Sequence, residues 1–177
     1  MKYLLIFALS IFFFQAEKID LNNFDEAKIN RLVFEEINKV RESKGLKALK
    51  VHNSLEKAAE IQSDYMLEKN KMTHEQNKRK FSNPQKRVLA SGPEPRYVAE
   101  NVAFFDVLLP VKVSFLNGKE VYVDNYEMLA EYFVKAWVQS PGHNKNIMNK
   151  YGDFTGVSCK LDKKQQRVYV TQVFGGY

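Results

Sequence analysis

Helical patterns come first along this chain and strand patterns come mostly last, and that order limits the fold more than any other feature. Apolar residues recur at helical spacing between residues 29 and 40, and again after residues 53 and 124. The chain ends with two alternating segments, 155–161 and 167–174, separated by a polar turn. Helices followed by strands predict an α+β fold rather than a parallel doubly wound sheet.

Capping residues indicate where the first two helices begin. A capping box of Asn23 and Glu26 starts a first helix that ends near Gly45. A second box begins at Asn53 and starts a helix that runs to about Asn70. Leu55, Ala58, Ala59 and Met66 lie on one face of this second helix.

Two later helices follow from the same kinds of signal. Asp124 caps a third helix, and its apolar stripe places Trp137 in the core. Ser140 and Pro141 then interrupt this helix and suit the cap and the first position of a new one. We therefore predict a short fourth helix that runs through Met148.

The segments between these helices contain turn signals. Residues 75–99 are polar, contain three prolines and show no sustained period, which predicts a long ordered loop or short helical turns. Loops of this length in a compact domain are often functional. Residues 111–123 alternate on both sides of Asn117-Gly118, which predicts a hairpin with a two-residue turn.

The N-terminus has the form of a secretory signal. Residues 4–14 are an uncharged apolar run that follows a single lysine, and the run is too short to span a bilayer. A buried N-terminal helix is the alternative interpretation. We expect a signal peptide at residues 1–16, a single domain at 17–177 with no stable membrane span, and a location outside the cell or in the cell envelope.

Cysteine and charge exclude several classes of protein. Cys159 is the only cysteine, so the chain has no internal disulfide, and its alternating surroundings predict a small buried residue rather than a nucleophile. The formal charge is +6, but the basic residues are scattered and no aromatic residues interleave with them, so we expect no nucleic-acid partner. The chain also lacks a Gly-rich phosphate loop and a Gly-x-Ser-x-Gly nucleophile elbow.

Several short segments, in a fixed order, carry the strongest functional signal. They are Met72-Thr73-His74, Pro84-x-x-Arg87, Ala99-Glu100-Asn101-Val102-Ala103, the run from Trp137 to Met148 that includes His143, Gly156-Val157, and Thr171-Gln172-Val173-Phe174-Gly175. Together they resemble the CAP superfamily, the cysteine-rich secretory, antigen 5 and pathogenesis-related 1 proteins, and particularly its small bacterial secreted SCP-like branch. The resemblance covers about residues 29–175.

The resemblance implies a three-layer α-β-α sandwich with a central antiparallel sheet and a groove on one side. It places His74, Glu100 and His143 in that groove, although the sequence spacing of the three residues does not itself bring them together. The chain departs from the family in two ways. No second glutamate follows Trp137, and residues 106–123 form a hairpin insertion.

Two imidazoles and a carboxylate are the ligand set of an open zinc site, with water in the fourth position. The same groups suit proton transfer. A third interpretation is a structural clasp, in which Glu100 orders the loops by hydrogen bonding. Asn101 should tie down backbone, and Arg87 should pair with an acid near the groove.

These observations predict a monomeric binding module. Its groove would take a divalent cation such as zinc, a lipid or other small apolar ligand, or a peptide or protein partner. One alternative is a metal-assisted hydrolase that uses His74, Glu100 and His143. Another is an interaction domain whose cleft is vestigial. The missing second glutamate and the absence of a nucleophile motif favour binding over catalysis.

Overall fold

A computed structural model describes residues 16–177 of the chain. The predicted signal peptide therefore lies, apart from Ala16, outside the described residues. The elements are α1 (Glu26–Ser43), β1 (Lys50–Val51), α2 (Asn53–Lys69), α3 (Pro84–Ser91), β2 (Tyr97–Asp106), β3 (Pro110–Val113), β4 (Lys119–Tyr122), α4 (Tyr126–Gln139), α5 (Pro141–Ile147), β5 (Phe154–Asp162) and β6 (Arg167–Gly176). Short 3-10 helices at Arg79–Phe81 and Ser114–Leu116 complete them.

The central sheet has the strand order β1-β5-β6-β2. Strands β5, β6 and β2 pair antiparallel, while the two-residue β1 pairs parallel to β5 at one edge. Side chains alternate across β6: Val170 joins the core with α1 and α4, whereas Val173 packs on the other face against Leu55 of α2. Helices thus cover both faces, and the predicted α-β-α sandwich is confirmed.

Three helices begin within two residues of the predicted cap, but each uses a different capping residue. The observed caps are Asp25, His52 and Asn125, where Asn23, Asn53 and Asp124 were predicted. Each observed side chain accepts a hydrogen bond from a backbone N–H of the first helical turn, as a cap does. The capping box pattern allows a shift of one or two residues, because several neighbouring side chains can accept these bonds.

Residues 75–99 hold more regular structure than a loop. They contain the 3-10 helix at Arg79–Phe81, all of α3 and the start of β2. Strand β2 lacks the expected alternation, because Glu100 and Asn101 are consecutive polar residues and both are buried. A strand with polar partners on both faces does not show the two-residue apolar period.

The predicted hairpin of β3 and β4 forms, but its turn is longer than the predicted two residues. The last paired residues are Val113 and Lys119, and a 3-10 helix occupies part of the connection. Asn117 and Gly118 adopt left-handed backbone conformations at the end of that connection. Val113 is buried in the main core, so the hairpin packs as part of the domain.

Gly156 and Cys159 place β5 against the helices. A Cβ atom on Gly156 would lie 2.1 Å from the backbone nitrogen of Glu56, so only glycine allows α2 to approach the strand this closely. Cys159 is fully buried, as predicted, and burial raises the pKa of its thiol well above its usual value. Among the described helices, none is both long and apolar enough to cross a bilayer.

Candidate functional site

The candidate site is built on β2, which lies at the edge of the central sheet. Glu100 and Asn101 pair with Val173 and Gln172 of β6 and, as consecutive strand residues, point to opposite faces of the sheet. The side chain of Glu100 lies on the face of α2 and α3, and that of Asn101 on the face of α4 and α5. The strand therefore brings together residues from both helical layers.

The carboxylate of Glu100 is bound on both sides. Its Oε2 lies 2.6 Å from Nη2 of Arg87, and its Oε1 lies 2.9 Å from Nδ1 of His74. The side chains of Glu100 and Arg87 are 1% and 0% exposed, whereas that of His74 is 48% exposed. A buried ion pair thus holds one ring nitrogen of a histidine that reaches the surface.

Arg87 also organises the loop that carries His74. Its Nη2 donates to the carbonyl oxygen of His74 at 3.1 Å, and its Nη1 donates to that of Phe81 at 2.9 Å. Gln76 ties the same loop to α2 by donating to the carbonyl oxygen of Ile61 and to the side chain of Gln62. His74 is therefore positioned by its backbone as well as by its ring.

Helix α5 carries His143 and is held along the free edge of β2. The Nδ2 of Asn146 donates to the backbone oxygen of Glu100 at 3.2 Å and to Oδ1 of Asn101 at 2.9 Å. Asn101 in turn donates to the carbonyl oxygen of His143 at 3.3 Å. Nε1 of Trp137 donates to the next outward carbonyl, that of Val102, so side chains cap the edge of the sheet.

His143 lies in an environment that disfavours its charged form. Burial lowers the pKa of His143 below its ordinary value, and the charge of His74 lowers it further. At His74, the carboxylate of Glu100 accepts a hydrogen bond, so Nδ1 is the donor. In the neutral ring, the lone pair then lies on Nε2, the nitrogen that a metal ion or a ligand would meet.

The predicted three-ligand metal site meets a geometric difficulty. Both oxygens of Glu100 are engaged, one by His74 and one by Arg87. Within residues 16–177, no group of three or more His, Cys, Asp or Glu side chains is arranged to hold a metal ion. The contact between Glu100 and Nδ1 of His74 instead gives the carboxylate the position of a group that orients a histidine ring.

Sequence reasoning anticipated parts of this network. Arg87 was expected to pair with an acid, and Glu100 is that acid; Asn101 was expected to tie down backbone, and it does. The contribution of Asn146 was missed, although it lies inside the motif that contains His143. Gln139, in the region where the second glutamate of the family would stand, donates to the carbonyl oxygen of Phe115 in the connection between β3 and β4.

Residues 34–174 match the family model described as CAP, the cysteine-rich secretory protein family. An uncharacterized protein named YkwD from Bacillus subtilis (strain 168) is 29% identical over 125 residues, which are 71% of this chain and 40% of that protein. The chain thus spans less than half the length of this curated relative.

Two solved structures share the fold. An outer surface protein from Borrelia burgdorferi superposes with a TM-score of 0.65 at 20% sequence identity, covering 92% of this chain and 98% of that one. An extracellular protein containing an SCP domain from Bacillus anthracis str. Ames superposes with a TM-score of 0.64, also at 20% identity. That match covers 86% of this chain and 41% of the other. The arrangement of layers is therefore one that other bacterial proteins adopt.

Proposed function

The chain belongs to the CAP family, the cysteine-rich secretory protein family, and from that premise we propose that it is an exported binding module. Its cleft, formed by His74, Glu100 and His143, takes a divalent cation such as zinc through the two imidazoles. Glu100 orients His74 and does not itself bind the ion. Two protein ligands leave coordination positions for water or for a polar group of a small ligand or a peptide.

The contact between Glu100 and His74 carries this proposal. A histidine that binds a metal commonly donates its other ring N–H to a carboxylate, which fixes the ring and makes the ligating nitrogen more basic. His74 has this environment, with Nδ1 on Glu100 at 2.9 Å and the ring half exposed. His143 lies near enough for the charge of His74 to lower its pKa. A purely structural clasp would not require the ring to reach solvent.

The same geometry favours binding over hydrolysis. A metal-assisted hydrolase needs a group that accepts a proton from the attacking water within hydrogen-bond reach. Glu100 is the carboxylate of the cleft, but its side chain is 1% exposed and both its oxygens are bound. It would have to leave Arg87 or His74 to act as that base.

Export is supported by the N-terminal sequence and by the relatives. Residues 4–14 have the composition of a signal sequence. Two proteins of the same fold are described as an outer surface protein and as an extracellular protein. Both matches are 20% identical and establish the fold alone, so export of this chain rests on their agreement with its N-terminal sequence.

Zinc titration by calorimetry on the full chain tests the proposal. We expect saturable binding of one ion, because the proposed site has two imidazoles, one of which is oriented by a carboxylate. His74→Ala and His143→Ala should each weaken binding at least about tenfold, since each removes one ligand. Glu100→Gln should weaken it by about 10–100-fold while both ligands remain.

His52 provides the matched control, because it is the third histidine of the chain and lies outside the cleft. It caps α2 through Nδ1, so His52→Asn keeps a side chain suited to that position. This variant should bind zinc as the unmodified chain does. Absence of saturable binding in the unmodified chain, or equal affinity in His143→Ala and His52→Asn, would overturn the metal proposal.

A further inference from the structure

A second arginine is buried at the other end of α5. Ile29, Val33, Ile37 and Arg41 form the buried stripe of α1, so the last position of an apolar stripe holds a charged residue. Arg41 is 3% exposed. Its Nε donates to the carbonyl oxygen of Lys47 at 3.0 Å, and its Nη1 donates to those of Ile147 at 2.6 Å and Asn149 at 3.0 Å.

These bonds leave part of the guanidinium without a partner. A guanidinium has five N–H donors, and the three contacts of Arg41 use those on Nε and Nη1. Within residues 16–177, Nη2 donates to no other residue and no carboxylate pairs with Arg41. Burial lowers the pKa of Arg41, and the more distant charge of Asp153 offsets this only in part. A buried charge normally has a counter-charge in contact.

Arg41 lines a pocket of about 440 Å³ between the end of α1 and the segment after α5. Lys44, Lys47 and Lys150 also line it, against the single acid Asp153. Within the described part of the chain, none of these three lysines forms an ion pair. The pocket therefore has a large excess of positive charge, and its lining includes a buried guanidinium whose Nη2 has no partner among the described residues.

We propose that this pocket is a binding site for a phosphate group. The free Nη2 of Arg41 supplies two N–H donors in a fixed plane, a geometry that suits oxyanions. Lys44, Lys47 and Lys150 add three further positive charges to the lining. One carboxylate ligand would neutralise a single charge, whereas a phosphate monoester carries nearly two charges and has three acceptor oxygens. The excess of positive charge favours phosphate.

The carbonyl groups around Arg41 do not by themselves neutralise the positive charge of the pocket. They come from the segments just after α1 and at the end of α5, where peptide dipoles favour a cation. Each helix end contributes about half a charge at most, and the end of α1 acts on its C-cap residue Lys44 as well as on Arg41. The four basic side chains of the pocket exceed Asp153 by more than the two helix ends offset, so the site as a whole still attracts an anion.

Titration of the full chain with inorganic phosphate at constant ionic strength tests this site, followed by the amide NMR signals of Gly45 and Gly152, which line the pocket. We expect saturable shifts with phosphate and much weaker ones with acetate. The double variant Lys44→Gln/Lys150→Gln should lower the affinity at least about tenfold, since it removes two charged contacts. These lysines are exposed, so the fold should persist.

The control is Lys163→Gln/Lys164→Gln, which removes two exposed charges from the turn between β5 and β6. It should leave the affinity within about twofold, because charges outside the pocket are screened. Vesicles with phosphatidic acid that cause the same shifts would identify a lipid headgroup as the source, and binding of inorganic phosphate alone would identify a soluble phosphate. Unsaturable shifts, or an equal loss in both double variants, would overturn the proposal.

Discussion

The two buried arginines of this domain have similar structural duties and different charge environments. Arg87 is 0% exposed and donates to the carbonyl oxygens of His74 and Phe81. Arg41 is 3% exposed and donates to those of Lys47, Ile147 and Asn149. Each therefore ties irregular backbone to a helix. Only Arg87 also contacts a carboxylate, that of Glu100 at 2.6 Å.

This difference shows how a fold can use one residue type in two ways. The charge of Arg87 is neutralised within the protein, so its effect reaches the surface only through His74, which shares Glu100 with it. Arg41 has carbonyl dipoles but no contacting acid, so its own guanidinium remains available to an anion. The first arrangement orients a histidine ring, and the second presents a positive charge.

Helix α5 lies between the two regions and contacts both. The side chain of Asn146 binds the backbone oxygen of Glu100, and the next residue, Ile147, accepts a hydrogen bond from Arg41. The two regions therefore meet at consecutive residues in the last turn of the same short helix. Variants of Glu100, Arg41 and His143 measure how far the two environments differ.

The largest effect should come from Glu100→Gln. The change leaves Arg87 fully buried without a counter-charge, and breaking a buried pair in this way costs about 3–5 kcal/mol in the free energy of unfolding. Urea denaturation followed by circular dichroism measures it. Asp106→Asn is the matched control, because its partner Arg167 and Asp106 itself are each 24% exposed. The control should cost about 1 kcal/mol or less, and equal losses would refute the comparison.

A smaller loss is expected for Arg41→Met. Methionine fills the apolar part of the site and removes the charge, so no buried charge is left behind, whereas the carbonyl oxygens of Lys47 and Ile147 lose their donor. Leaving buried acceptors unsatisfied costs about 1–3 kcal/mol. The same denaturation experiment checks this value. If the free energy of unfolding falls as much as it does in Glu100→Gln, the charge of Arg41 is neutralised within the fold as fully as that of Arg87.

The α+β class was predictable from local pattern, because helical periods and the closing hairpin depend on it, whereas the three layers were predicted from the family resemblance. Strand β2 was less visible, since Glu100 and Asn101 interrupt the alternation and their partners lie on other elements, α3 and α5. The length of the hairpin connection was also missed, because Asn117-Gly118 fits two turn types and only the register of β3 and β4 separates them.

The two sites also differ in how far the sequence alone could predict them. His74, Glu100 and His143 were indicated by motifs whose order could be compared with a family, although their role as ligands stays a prediction. The partner of Arg87 depends on how α3 packs on β2, which no local pattern contains. Arg41 belongs to no motif. Its position four residues after Ile37, on the buried stripe of α1, was the one available signal.

The smallest expected effect is a pH dependence of the free energy of unfolding that comes from the region of His143 and not from that of Arg41. His143 should titrate below its ordinary pKa of 6.5, because burial and then the charge of His74 both disfavour its charged form. The unfolded state then binds more protons than the folded state, so the free energy of unfolding should fall as the pH is lowered from about 7 through 6.5. His143→Gln should reduce this slope, whereas Arg41→Met should not, since arginine does not titrate there.

NMR titration of the histidine ring signals, with a chelator present, measures the midpoint directly. A midpoint for His143 at or above 6.5 would contradict the assignment, and in His74→Gln it should rise but stay below 6.5, because burial remains.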